Sequence, residues 1–149
     1  MKRLRIISDS EKKAILDVLE ALLRSRREIV FALLYGSIVN PVIPGKYGDI
    51  DIAVYVKPDS LEIPEHILES QIEVEAYKVL SNRGLNLAPV EVVIINNAPY
   101  SFLVRLLKER YTVLKENEEA LTDFIEGVGK RATANHHLRH ESLQEVLGA

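Results

Sequence analysis

The sequence predicts a single α/β domain, of the α+β kind, built on a mixed sheet of about four strands flanked by helices. Helical and strand periodicities alternate along the chain in the order helix, strand, strand, helix, strand, helix, strand, helix. The second strand follows the first with no helix long enough for a parallel crossover, so the two are expected to pair antiparallel and to make the sheet mixed. The length, 149 residues, suits one domain with a tail, and a chain of this size buries about 70% of its unfolded surface.

Ser8-Asp9-Ser10-Glu11 reads as a capping box, a hydroxyl at the cap and a carboxylate three residues on. Ile15, Val18, Leu19, Leu22 and Leu23 then hold the spacing of one buried stripe, and this helix should end by Arg27. Ile29 to Tyr35 is a continuous apolar run closed by Gly36-Ser37, which fits a strand buried on both faces. Residues 38–48 contain Asn40, Pro41, Pro44, Gly45 and Gly48 and read as a loop. Asp49 to Val56 resumes a strand, and Lys57-Pro58-Asp59-Ser60 closes it.

A second helix is expected from Pro64 to Asn82, with Leu68, Ile72, Ala76, Val79 and Leu80 inside and Arg83-Gly84 as its stop. Val90 to Ile95 is a third strand. Asn96-Asn97-Ala98-Pro99 leads into a short helix over Tyr100 to Glu109, and Tyr111 to Lys115 is a short fourth strand. A last helix covers Glu118 to Ala132, with Leu121, Phe124, Ile125 and Val128 inside, and the polar remainder runs on to Ala149. Residues 1–116 are expected to form the domain, and 117–149 a C-terminal helix and tail available to a partner.

Composition excludes several classes. Without cysteine there is no disulfide framework, no thiolate zinc site and no thiol redox chemistry. No apolar run approaches the ~20 residues of a membrane span, and the basic start Met1-Lys2-Arg3 lacks the apolar stretch of a signal peptide, so a cytoplasmic location is expected. The net charge of -3 is uneven: residues 1–48 hold 9 basic and 5 acidic side chains, and residues 49–149 hold 10 and 17. The basic first third suits an anion such as a nucleotide phosphate, or is simply a solvated helix face. No arginine-rich run or aromatic stacking motif points to direct nucleic-acid binding.

The chemistry concentrates in Gly36-Ser37, eleven further residues, and then Asp49-Ile50-Asp51. Strand residues two apart share a face, so both aspartates project together from the start of one strand. Carboxylates held this close repel unless a proton or cation lies between them, and magnesium takes one or two carboxylates while keeping sites for water and phosphate oxygens. Gly36 lets a backbone approach a phosphate, and Ser37 adds a hydroxyl and an N–H. Glu91 is the lone charge in the apolar run 88–95, where it must reach a cation, a partner or solvent. As a third carboxylate it would be a metal ligand or the general base on an attacking hydroxyl. Gly-Ser is also a common turn and a lone Asp-x-Asp is often solvated; the conjunction with an acid in a third strand is the specific signal.

Phe31-Ala32-Leu33-Leu34-Tyr35-Gly36-Ser37 followed by Gly48-Asp49-Ile50-Asp51-Ile52-Ala53-Val54 resembles the signature of the DNA polymerase β-like nucleotidyltransferase superfamily. More narrowly the chain resembles the minimal nucleotidyltransferase (MNT) group, and Val90 to Lys115 looks like the second half of that group's domain. The resemblance implies the polymerase β-like fold and transfer of a nucleoside monophosphate, AMP from ATP, to a hydroxyl with one or two magnesium ions. It implies that Gly36 and Ser37 hold the triphosphate, that Asp49 and Asp51 bind metal, and that Glu91 is the third acid. It further implies an antitoxin partnered with a HEPN-type ribonuclease toxin, as a hetero-oligomer or a homodimer, which in some members is silenced by adenylylation. Alternatives are an inactive antitoxin or nucleotide-binding module that blocks its partner sterically, and a small-molecule nucleotidyltransferase.

This chain departs from the group's pattern in its loop and its third acid. Ile38 stands where an Arg often follows Gly-Ser, which leaves Lys46 as the only cation in the loop to neutralise phosphate charge, and Glu91 stands where Asp is usual. His136 and His140 would share a helix face beside His137, a candidate metal pair or a partner-contact surface. Tyr35 beside Gly36 reads as packing under the loop, with stacking on a nucleotide base as the alternative, and Tyr100, Phe102, Tyr111 and Phe124 read as core or interface.

Overall fold

The computed structural model describes residues 4–131. A two-residue strand, β1 (Arg5–Ile6), precedes the first helix, α1 (Asp9–Ser25). The capping box closes as its chemistry requires: the Glu11 N–H donates to Ser8 Oγ at 3.2 Å, and the Ser8 N–H donates to Glu11 Oε1 at 3.0 Å. The five expected core positions of α1 are all buried.

The apolar run becomes β2 (Ile29–Tyr35). A single turn of 3-10 helix, Gly36–Ile38, follows it, then β3 (Lys46–Tyr47) and β4 (Ile50–Val56). Next come α2 (Glu65–Ser81), β5 (Val90–Ile94), α3 (Tyr100–Lys108) and β6 (Thr112–Lys115). A last helix, α4, is described from 118 to 131. The histidines at 136, 137 and 140 lie outside the described residues.

The main sheet has the order β5-β4-β2-β6. β2 pairs antiparallel with β4 and with β6, and β4 pairs parallel with β5 across the α2 crossover. The mixed sheet is therefore the one expected, and its central antiparallel pair is the two apolar strands. One part of the loop 38–48 differs from expectation: β3 pairs antiparallel with β1 in a separate two-stranded ribbon. Both strands are too short to show alternation, so periodicity has no signal there. Tyr47 is buried, and the Lys12 ammonium lies 5.1 Å from its ring centre, which ties the ribbon to α1.

Two cores sandwich the sheet. One face packs on α1 and α2 through Ala32, Leu34, Ile52, Val54 and Val92. The other carries Phe31, Leu33, Ala53 and Ile95 against α3 and α4. Phe31 is fully buried, stacks on Tyr55 at 5.1 Å and meets Phe124 of α4 edge-on at 5.7 Å. Phe31→Ala should therefore cost about 3–5 kcal/mol in urea unfolding, a large share of the ~5–15 kcal/mol of a typical domain. Of the residues expected inside α4, Val128 is buried, Leu121 and Phe124 pack on this core, and Ile125 is instead 38% exposed.

The open edge of β5 is closed by α2. The Ile94 N–H donates to Glu69 Oε2 at 2.8 Å, and the Val92 N–H donates to Glu73 Oε2 at 3.2 Å. Just beyond the strand, the Asn97 side-chain amide donates to Glu65 at 3.2 Å. Without these carboxylates a strand edge leaves its outward N–H groups to solvent or to another chain.

Candidate active site

Strand pairing assembles the site. The β2–β4 ladder sets Tyr35 opposite Asp51, and the β4–β5 ladder sets Asp51 beside Glu91. Alternation sends Asp51 and Glu91 to the face that Ala53, Val93 and Ile95 share with α3. Ligand oxygens of Asp49, Asp51 and Glu91 all lie within 4.8 Å of one another. Asp49 and Asp51 are half-buried and Glu91 is exposed. Three carboxylates this close fit a hard divalent cation such as magnesium, which takes oxygen ligands and leaves further positions for phosphate and water.

The turn after β2 is built around Gly36. Its φ is +78°, a left-handed conformation that costs glycine little, and its carbonyl accepts from the Val39 and Asn40 N–H groups at 3.1 and 2.9 Å. A Cβ added there would lie on the Asp51 carboxylate, 3.3 Å from Cγ and nearer still to Oδ2. Gly36 is thus the reason the turn and the acids can share one space.

Ser37 braces the other end of the loop. Its Oγ accepts from the Gly48 N–H at 3.0 Å, one residue before Asp49. A serine hydroxyl accepts and donates at once, so the same group can hold the Gly48 amide and donate to a phosphate. Ser37→Ala should lower kcat/KM about tenfold and stability by about 1 kcal/mol, read by steady-state kinetics and urea unfolding. Lys46 is exposed on β3, where its N–H donates to the Ile43 carbonyl at 3.0 Å. Among the described residues its ammonium forms no ion pair.

Tyr35 lies beside the acids. It meets Phe102 of α3 edge-on at 5.9 Å, and Arg105 lies 5.9 Å from the same Phe102 ring. Burial first, then the charges of Asp51 and Glu91, push its phenol up to about 12, and Arg105 opposes them. The phenol therefore stays neutral through the whole physiological range. Raised above its unfolded value of about 10, it contributes stability that is complete below pH ~10 and is lost as pH rises through about 12. Absorbance titration of metal-free protein should show a tyrosine ionising near 12 that Tyr35→Phe removes.

Asp49, Asp51 and Glu91 thus come together, with Gly36 against Asp51 and Ser37 bonded to Gly48 beside Asp49. Sequence reasoning missed Arg105 and the α2 carboxylates. Glu65, Glu69 and Glu73 recur every four residues on one line of a helix, and that spacing was the available signal.

The family model described as polymerase beta, nucleotidyltransferase matches residues 17–119. No curated protein matches the chain. Among solved structures, the tri-AMPylated Shewanella oneidensis HEPN toxin in complex with MNT antitoxin contains a similar chain, 18% identical with a TM-score of 0.62. The match covers 91% of this chain and 98% of that one. A chain of the toxin–antitoxin MntA–HepT is 16% identical with a TM-score of 0.61, covering 91% and 98%. A chain of a toxin–antitoxin with AMP-PNP is 17% identical with a TM-score of 0.63, covering 89% and 98%. At these identities the solved structures establish the fold. The family model spans more than half of the sequence, and the chain belongs to the polymerase β nucleotidyltransferase family.

Proposed function

We propose that this chain is a magnesium-dependent nucleotidyltransferase that moves AMP from ATP to a hydroxyl of a partner protein, a HEPN-type toxin, and so acts as its antitoxin. The observation that carries the reading is the meeting of three carboxylates, with oxygens within 4.8 Å of one another, beside the Gly36-Ser37 turn. The partner class is supported by the HEPN toxin and MNT antitoxin complexes that share the fold, and the nucleotide by the AMP-PNP complex.

Asp49, Asp51 and Glu91 would hold one or two magnesium ions. Magnesium, when bound, supplies positive charge against the triphosphate oxygens and makes the acceptor hydroxyl easier to deprotonate. Backbone N–H groups and the hydroxyl at Gly36-Ser37 hold the triphosphate, and Lys46 offers a further cation from the ribbon. The acceptor oxygen forms a bond to the α-phosphorus as the bond to pyrophosphate breaks. Glu91, the exposed acid of the three, takes the acceptor proton when it is not itself a ligand. Residues 117–149 would meet the partner, a role consistent with the exposed Ile125 on α4.

The test is to incubate the protein with labelled ATP, magnesium and a HEPN-type partner. Label on the partner, absent with a chelator and with Asp49→Asn, is expected. Tight complex formation without label, unchanged by Asp49→Asn, would replace this reading with steric inhibition.

A further inference from the structure

Glu91 sits on the edge strand of the sheet, the least supported place for a residue that must hold a fixed distance to two others. β5 has a neighbour on one side only, β4. On the other side its outward N–H groups, those of Val92 and Ile94, are taken by Glu73 and Glu69 of α2. Asn97, three residues past Ile94, continues the series on Glu65. All three glutamates are half-buried.

The match of spacings explains why this works. Four residues of helix rise about 6.0 Å, and two residues of strand about 6.6 Å. Glutamates at every fourth position of a helix running antiparallel to a strand therefore meet every second strand N–H. A row of carboxylates on α2 stands where the next strand would be. A bond from an N–H to a charged oxygen is also stronger than the neutral bond it replaces.

The consequence falls on Glu91, which immediately precedes Val92. Its place beside Asp51 depends on the register of the β4–β5 pair. An edge strand with unpartnered N–H groups frays, and fraying at Val92 would move the Glu91 carboxylate out of the 4.8 Å cluster.

We infer that Glu73 and Glu69 are positioning residues for Glu91, which by holding the Val92 and Ile94 N–H groups keep the third carboxylate at the metal site. The inference rests on the metal-site reading of the trio and extends it to side chains that touch neither metal nor nucleotide. It also implies that the β5 edge is closed to strand addition by a partner.

The test uses Mn2+ binding followed by electron paramagnetic resonance, with amide hydrogen exchange at Val92 and Ile94, on the full chain. Glu73→Ala should weaken Mn2+ binding about tenfold, the usual scale for outer partners of metal ligands, and speed exchange at Val92. Glu73→Gln keeps a carbonyl oxygen for the same N–H and should restore both to near wild type. Glu69→Ala should act in the same direction through Ile94. Glu73→Gln and Glu69→Ala are measured beside Glu73→Ala, each with a urea unfolding curve that separates loss of the fold from loss of positioning. Mn2+ affinity within twofold of wild type in folded Glu73→Ala and Glu69→Ala, with Val92 and Ile94 exposed to exchange, would overturn the positioning role and leave the metal site standing. Equal Mn2+ binding by wild type and Asp49→Asn would remove the metal site itself, and the inference with it.

Discussion

Asp51→Asn should abolish nucleotidyl transfer, lowering kcat/KM by a factor on the order of 10^3, while leaving the metal-free fold at least as stable as before. Asp51 lies on the central strand of the site, between Tyr35 on β2 and Glu91 on β5. Its ligand oxygen lies within 4.8 Å of those of Asp49 and Glu91, so three negative charges repel when no cation is present. The amide keeps the shape and removes one charge. That relieves repulsion in the metal-free protein and takes a ligand from the metal-bound one. Thermal unfolding should therefore show wild type gaining Tm with magnesium and Asp51→Asn gaining little, from an equal or higher starting point. The Tyr35 phenol gives a third readout: Asp51 is one cause of its rise to about 12, so the variant should ionise lower. A destabilised metal-free variant would mean that Asp51 serves the fold first and the chemistry second.

The sequence made this trio legible because strand alternation and register are rigid rules. Once 29–35 and the stretch from Asp49 to Val56 read as an antiparallel pair, the end of one had to face the start of the other, and Gly36-Ser37 had to arrive beside Asp49 and Asp51. Glu91 was legible because a charge in an apolar strand needs a reason. The boundary of the second strand was not: β4 begins at Ile50, and Asp49 stands just before it, next to the Gly48 that Ser37 holds. The ribbon of β1 and β3 was invisible because two residues carry no period. The glutamates of α2 were hidden for a different reason. On a helix, Glu69 and Glu73 look like solvated charges, and only the packing angle of α2 on β5 turns them toward the strand edge. Ile125 fell at a core-like spacing, yet the sheet face under α4 is filled by Phe124 and Val128.

Gly36→Ala should cost both activity and stability, and Gly45→Ala separates the two effects. Both glycines have left-handed φ, +78° and +79°. An L-residue there costs about 1–2 kcal/mol at either site. They differ in what surrounds them. The space at Gly45 holds nothing within 4 Å of an added Cβ, whereas at Gly36 the methyl would overlap the Asp51 carboxylate. Either the turn shifts away from the acids or Asp51 rotates away from Asp49 and Glu91, and each outcome breaks the fit of the turn to the acids. Gly36→Ala should therefore lower kcat/KM by at least about a hundredfold, since misplacement by about 1 Å is enough for that. It should also weaken Mn2+ binding and lose about 1–3 kcal/mol in urea unfolding. Gly45→Ala should lose stability to the same backbone strain and keep activity within a few-fold. If both variants lose activity alike, strain in the loop is the cause and the contact with Asp51 is not. If Gly36→Ala alone loses activity, the glycine is there to make room for a carboxylate.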